Sequence, residues 1–501
     1  MLKQNFLSLL AVVGWIASPG QTLATNPFTP PDFPTPSFPA LTLNVRDFGA
    51  TGDGVNNDTP AINQAIEKCH ASGGGTVFFP AGRYGAGSIH LLSNVRLSLD
   101  PKAAIFGLTG AFELPETNPF SQYQDGGHSH FHDALLWGEN VENVAIVGGE
   151  VGGGAIGHTD PKPGNGDKVI AIKVGKNLDF ENVTHQKGGH FVYLLNDCEN
   201  VTLNGVVIKE SRDAVDFMGC RNVQVHDCNF TGCGDDTIGV KSDYALGRKI
   251  NSANFYVWDS YFESGCNGLQ FGSETAGDFE NCNFWNIRIG RAMKAGIGIT
   301  CNDGGIIDDV NYSNIVVKGA ASPIYLLITD RLRSGDPAKK IGTIKNVKIM
   351  NVTITDCQAG RQGPVLAATI SGRPESSMEN ITLENVRIDY PGGGNAADAN
   401  LVPKYPKDYS PRSLGPRPAA GLYVRHVEGL TLKNVEITFD EPDQRPPAVF
   451  YDVDGLSIDQ FKTQKADGVD MLRLEKVKHL KIHDSPGLAD TTTALVEKGR
   501  E

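Results

Sequence analysis

One phrase recurs along the chain and constrains the fold more than any other feature. It reads Asn, a short alternating apolar run, Asn or Asp, and a second short run. Instances are ENVAIVGGEV from Glu142, KNLDFENVTH from Lys176, ENVTLNGVVI from Glu199, RNVQVHDCNF from Arg221 and ENITLENVRI from Glu379. The shorter intervals cluster at about 22–28 residues. Each phrase is a pair of period-2 strands separated by a turn. A unit this short cannot bury its own apolar face, so neighbours must stack. The expected fold is all-β: a single-stranded right-handed parallel β-helix of ten or more coils. The asparagines are placed at the turns, where they tolerate left-handed backbone and bond neighbouring amides. That role also accounts for sequons such as Asn200-Val-Thr202 without glycosylation.

Repetition settles the meaning of the length. A chain of 501 residues exceeds the size at which one core usually splits, but stacked coils let one elongated core grow further. The 58 glycines lack a G-X-Y period, which excludes collagen and fits many tight turns. The chain is 40% hydrophobic and 21% charged, which excludes wholesale disorder. A net charge of −13 without a basic run disfavours nucleic acid as a partner.

The ends differ from the body. Lys3, the apolar run Phe6 to Ala17 and the small-residue stretch ending Thr22-Leu23-Ala24 read as a cleaved export signal over 1–24. The run is short for a spanning helix. The mature chain is expected to be secreted (periplasmic in a Gram-negative cell), free of the membrane and monomeric. Residues 25–43 are a Pro-rich lead-in, 44–490 the β-helix catalytic domain and 491–501 a C-terminal tail. Asp58 or Thr59 can cap a helix from Pro60 to His70, with Ile62, Ala65, Ile66 and Cys69 on one face. It would be the N-terminal capping helix over the open end of the core. The nine cysteines are an odd count and lack zinc-type CxxC pairs. Those at 220, 228, 233, 266, 282 and 301 read as core thiols or as disulfides between coils.

Aligning one strand per coil by its alternation gives inward pairs Val192/Leu194, Val215/Phe217, Ile238/Val240, Leu269/Phe271 and Ile297/Ile299. The outward positions within these strands are Tyr193, Asp216, Gly239, Gln270 and Gly298. Two residues before each first inward residue stand His190, Asp213, Asp236, Asn267 and Ala295. Coils stack about 4.8 Å apart, so Asp213, Asp216, Asp235 and Asp236 should share one small patch. Isolated aspartates near turns commonly just bond backbone amides. Four in one patch repel and raise at least one pKa. Carboxylates at unequal pKa are what glycoside hydrolysis needs, one as acid and one as base.

These segments resemble glycoside hydrolase family 28, the polygalacturonases and their relatives. The family's Asn-Thr-Asp-Gly-x-Asp reads here Ser211-Arg212-Asp213-Ala214-Val215-Asp216. Its Gly-Asp-Asp and the following Ile-x-x-Lys-Ser strand read Gly234-Asp235-Asp236-Thr237-Ile238-Gly239-Val240-Lys241-Ser242. Its Gly-His-Gly falls on Cys266-Asn267-Gly268 and its Arg-Ile-Lys on Gly298-Ile299-Thr300. The resemblance implies an inverting hydrolase of pectic polysaccharide that uses no cofactor and no metal. Asp235 would protonate the leaving oxygen, and Asp213 and Asp236 would hold and deprotonate the water. Asp216, Lys241, Asn267, Gln270, His190, Tyr193 and Lys294 are the expected substrate-binding residues. The family histidine is Asn267, and the two uronate-binding cations are Gly298 and Thr300, which points to altered specificity. Lys294, Arg291, Arg288, Arg331 or Arg333 could supply a cation from nearby. Arg and Lys placed at 298 and 300 would then be expected to raise activity on galacturonides.

Other features carry less. His128, His130 and His132 alternate and could face one metal, but read more simply as a polar rim to the cleft. His158 and Asp160 are expected in the cleft wall. Tyr193, Trp258, Trp285 and Tyr325 are aromatics that could stack on sugars, although the two tryptophans equally suit packing. The stretch 389–421 reads as a long surface loop and candidate lid. A β-helix lyase and a non-catalytic carbohydrate-binding β-helix are the competing functions. A lyase would leave an unsaturated, ultraviolet-absorbing end; a binding protein would give no turnover.

Overall fold

A computed structural model describes residues 28–157, 163–360 and 363–500. The export signal, His158 and Asp160 lie outside the described residues. The strands stack in parallel as a right-handed β-helix, with each coil hydrogen-bonded to the next.

The asparagine phrase is the device that turns each coil. Asn94, Asn143, Asn177, Asn200, Asn222, Asn254 and Asn281 all have φ between 53° and 64°. From Asn143 onward, each side-chain amide donates to the preceding asparagine's carbonyl oxygen at 2.8 Å. Asparagine pays less than other side chains for left-handed backbone, and the ladder satisfies its buried amide. Asn200 is committed to this ladder on both sides, as the turn assignment requires.

Helix α1 (Thr59–Ala71) buries Ile62, Ala65, Ile66 and Cys69 over the first coils, as its periodicity predicts. Asp58 occupies the cap position and its carbonyl accepts from the Ile62 amide at 3.0 Å, but its carboxylate turns away, accepting from the Thr51 and Gly52 amides at 2.7 and 3.1 Å. The lead-in runs along the outside of the coils. Pro31 O accepts from Gln224, Phe33 packs on Tyr256 and Phe28 on Trp285.

The strands that build the site are β1 (Phe191–Asn196), β2 (Asp213–Met218), β3 (Ile238–Ser242), β4 (Asn267–Thr275) and β5 (Phe279–Cys301). They continue as β6 (Ala320–Ile328), β7 (Ala368–Ser371) and β8 (Leu422–Glu441). Val215, Ile238, Leu269 and Ile297 stack in register, as do Phe217, Val240, Phe271 and Ile299. The inward columns are those the alternation predicts, except in the first coil. There Tyr193 and Leu195 pair with Val215 and Phe217, one residue out of the expected phase. β1 reads Phe-Val-Tyr-Leu-Leu, apolar at every position up to Asn196, so it carries no alternation to fix the phase.

At the far end β9 (Leu472–His483) pairs antiparallel with β10 (Thr491–Arg500). The expected tail is thus a strand that caps the exposed edge of the last coil. All nine cysteines are buried free thiols, which decides between the two sequence alternatives. Trp258 and Trp285 stack on each other at 5.1 Å and are packing residues.

Candidate active site

The register brings the four aspartates together. Asp213 opens β2, and the Asp236 amide on the next coil donates to its carboxylate at 3.0 Å. Oxygens of Asp213, Asp216 and Asp236 lie within 4.8 Å of one another. Asp235 joins Asp236 and Cys266 in a second such group. Among the four, Asp235 reaches furthest out: its side chain is 29% exposed, against 7% or less for the others.

Two cations stabilise the floor. Lys241 Nζ is 2.7 Å from Asp216 and 3.3 Å from Asp236. His128 Nε2 is 3.1 Å from Asp216, and its other ring nitrogen faces Asp243 at 3.5 Å. Asn267 donates to Asp236 at 2.6 Å, taking the hydrogen-bonding part of the histidine it replaces. Three clustered carboxylates could attract a metal ion, but the Lys241 amine already supplies a positive charge between two of them.

Burial and neighbours then divide the aspartates. Burial, reinforced by Asp235 and Asp216, pushes Asp213 well above the usual carboxylate range. Burial raises Asp236 to about 6, opposed by Lys241. Burial also works against charge on Asp216, but Lys241 and His128 outweigh it and hold this carboxyl below its usual value. Carboxyls of unequal acidity therefore converge on one cleft, the condition acid–base chemistry requires.

The cleft is closed by two excursions. One, before the coils of the site, brings Asp125 and His128. The other begins after Gly392, where the preceding strand ends, and runs to Leu422. It carries Tyr409 to the cleft wall. About 50 Å³ remains at the floor beside Asp213, Asp235 and Asp236, enough for one or two waters.

Not every expected residue reaches the cleft. Tyr193 is a core residue whose hydroxyl bonds His185 at 2.8 Å, a consequence of the shifted phase of β1. His190 is buried, stacked on Phe191 at 4.2 Å, and Phe191 takes the register position beside Asp213. Burial and then Arg212 keep its imidazole neutral. Lys294 lies beneath the Tyr409 ring, its amine 4.1 Å from the centroid. Arg331 and Arg333 are engaged by Asp303 and Glu274. Tyr325 is buried in a cluster with Leu414 of the loop. The histidine run does not converge: His128 goes to Asp216, His130 to Asp133 and His132 to Glu139. His128, expected at the rim, lies on the floor. Arg212 and Tyr409 also line the cleft, and nothing in the local sequence marks Tyr409.

Gln270 fills the space of the missing arginine. Its amide reaches Phe271 O at 2.6 Å and Thr300 Oγ1 at 3.2 Å. A Cβ on Gly298 would stand 2.1 Å from Gln270 Oε1. Gly298→Arg should therefore cost stability by about 1–3 kcal/mol through overpacking, with no gain on galacturonides. Thermal melts and reducing-end assays of the purified variant check both halves.

Comparison with known proteins agrees with this architecture. The family model described as Glycosyl hydrolases family 28 matches residues 113–407, a span that holds all four aspartates. A probable polygalacturonase of Vitis vinifera is 23% identical over 432 residues, covering 79% of this chain and 83% of that protein. The family 28 exopolygalacturonase of Yersinia enterocolitica superposes with TM-score 0.56 at 18% identity, over 86% of this chain and 79% of that one. PfbA, a surface adhesin of Streptococcus pneumoniae, superposes with TM-score 0.50 at 15% identity, over 85% of this chain and 93% of that one. These two likenesses concern the fold alone. The family match extends over more than half of the sequence, and this chain belongs to glycosyl hydrolases family 28.

Proposed function

We propose that the protein hydrolyses glycosidic bonds of a pectic polysaccharide outside the cell, with Asp235 as general acid. Asp213 and Asp236 hold the attacking water, Asp236 takes its proton, and the anomeric configuration inverts. The observation that carries this reading is the convergence of Asp213, Asp235 and Asp236 on a floor with room for water. Asp235, the most exposed of the four, is the one an incoming glycosidic oxygen meets first. Asp236 is positioned as base by Asn267 and Lys241.

Purified protein incubated with pectic oligosaccharides tests this reading. New reducing ends of inverted anomer are expected, without an ultraviolet-absorbing unsaturated end. Retained anomer overturns the inverting assignment, and an unsaturated end overturns hydrolysis. Because Asp236 must be ionised to act as base, activity should fall as pH drops below about 6. A pH–rate profile without an acid limb in that region counts against the role.

A further inference from the structure

Arg212 stands where the family motif has threonine, immediately before Asp213. The coil register sets it beside the acid: the Asp235 amide donates to Arg212 O at 2.7 Å. Its guanidinium lines the cleft and is 32% exposed. The nearest carboxylates are Asp213 at 3.4 Å and Asp235 at 3.6 Å. Both are longer than the about 2.7–2.9 Å of a charge-assisted hydrogen bond, so the planar fork of five donors is largely unspent.

The other cations near the cleft are committed. Lys241 is held between Asp216 and Asp236. Lys294 is covered by Tyr409, and Arg331 and Arg333 serve Asp303 and Glu274. Arg212 alone among these combines a cleft-facing charge with free donors.

We propose that Arg212 is a specificity-determining residue that binds the free carboxylate of a uronate unit next to Asp235. It does so in place of the cation pair that Gly298 and Thr300 lack. A carboxylate matches the guanidinium fork in two parallel hydrogen bonds, and the open side of Arg212 lies within a sugar's length of the acid. This deepens the hydrolase reading and rests on it for the identity of the sugar polymer. It relocates the charge recognition by one edge of the cleft, from the β5 column to the turn before β2.

The test compares an oligogalacturonide with its fully methyl-esterified counterpart, for wild type, Arg212→Gln and Arg212→Lys. Binding is read by titration calorimetry and cleavage by reducing ends, with thermal melts to verify folding. Wild type should prefer the acid form. Arg212→Gln should weaken binding and kcat/KM on that form by about 10- to 100-fold, the worth of a charged hydrogen bond, and change the ester by less than about threefold. Arg212→Lys should recover part of the loss, because it keeps charge without the fork. Equal losses on both substrates would mean that Arg212 merely positions Asp213 and Asp235, and would overturn the proposal. So would unaltered binding of the acid form. If wild type cleaves neither substrate yet binds the acid form through Arg212, the hydrolase reading fails and this inference stands. If both are cleaved with no Arg212-dependent preference, the inference fails and the hydrolase reading stands.

Discussion

Asp235→Asn should reduce cleavage of a pectic oligosaccharide by about 10²- to 10⁴-fold, the usual contribution of a positioned general acid. That corresponds to about 3–5 kcal/mol of lost transition-state stabilisation. The fold should not notice. Asp235 is tied to its neighbours through its backbone, whose amide donates to Arg212 O and whose carbonyl accepts from Ser264. Its carboxylate reaches Arg212 only at 3.6 Å, a partly exposed pair of the kind worth little. Asparagine has the same shape and retains hydrogen bonding while losing the proton to donate. A melt close to that of wild type, beside a loss of turnover, is the expected pair of results. Activity within threefold of wild type would remove Asp235 from the mechanism.

Lys241→Met should have the largest effect on stability, about 3–5 kcal/mol. The amine is buried between two carboxylates, and methionine removes the charge they share, leaving His128 on Asp216 and the Asn267 amide on Asp236. One or both must then take up a proton, since an unpaired buried charge is costlier than a neutral acid. Asp216, now held ionised by Lys241 and His128, is the group that should shift most. Combining Lys241→Met with Asp216→Asn removes charge from both sides and should recover a substantial part of the loss. The double-mutant cycle, read by denaturant unfolding, measures the coupling between the two residues. A single variant as stable as wild type, or a double variant whose losses simply add, would show that this pair does not hold the floor together.

Particular residues show what could be read in advance and what could not. The asparagine phrase announced both the coil and the left-handed turns, because those depend on local backbone preference and a short period. Helix α1 and the inward columns from Val215 onward followed from alternation for the same reason. Asp213, Asp216, Asp235 and Asp236 could be gathered from register arithmetic, since stacking at fixed separation converts sequence offset into distance. Tyr193 falls out of the expected phase because that arithmetic had none to use: the Phe191–Leu195 run is apolar at every position.

The stacked coils, the turn chemistry and the aspartate patch are legible in the chain because all rest on short-range periodicity. The tertiary structure alone decided which side chains complete the site. His128 comes from 88 residues before Asp216 to bond it, and Tyr409 arrives on a loop inserted several coils further on. Whether Lys294 is free or covered, and whether Gly298 has room for a side chain, depend on that loop and on Gln270. Such long-range encounters are set by packing and by how buried charges find partners, and no local pattern encodes them.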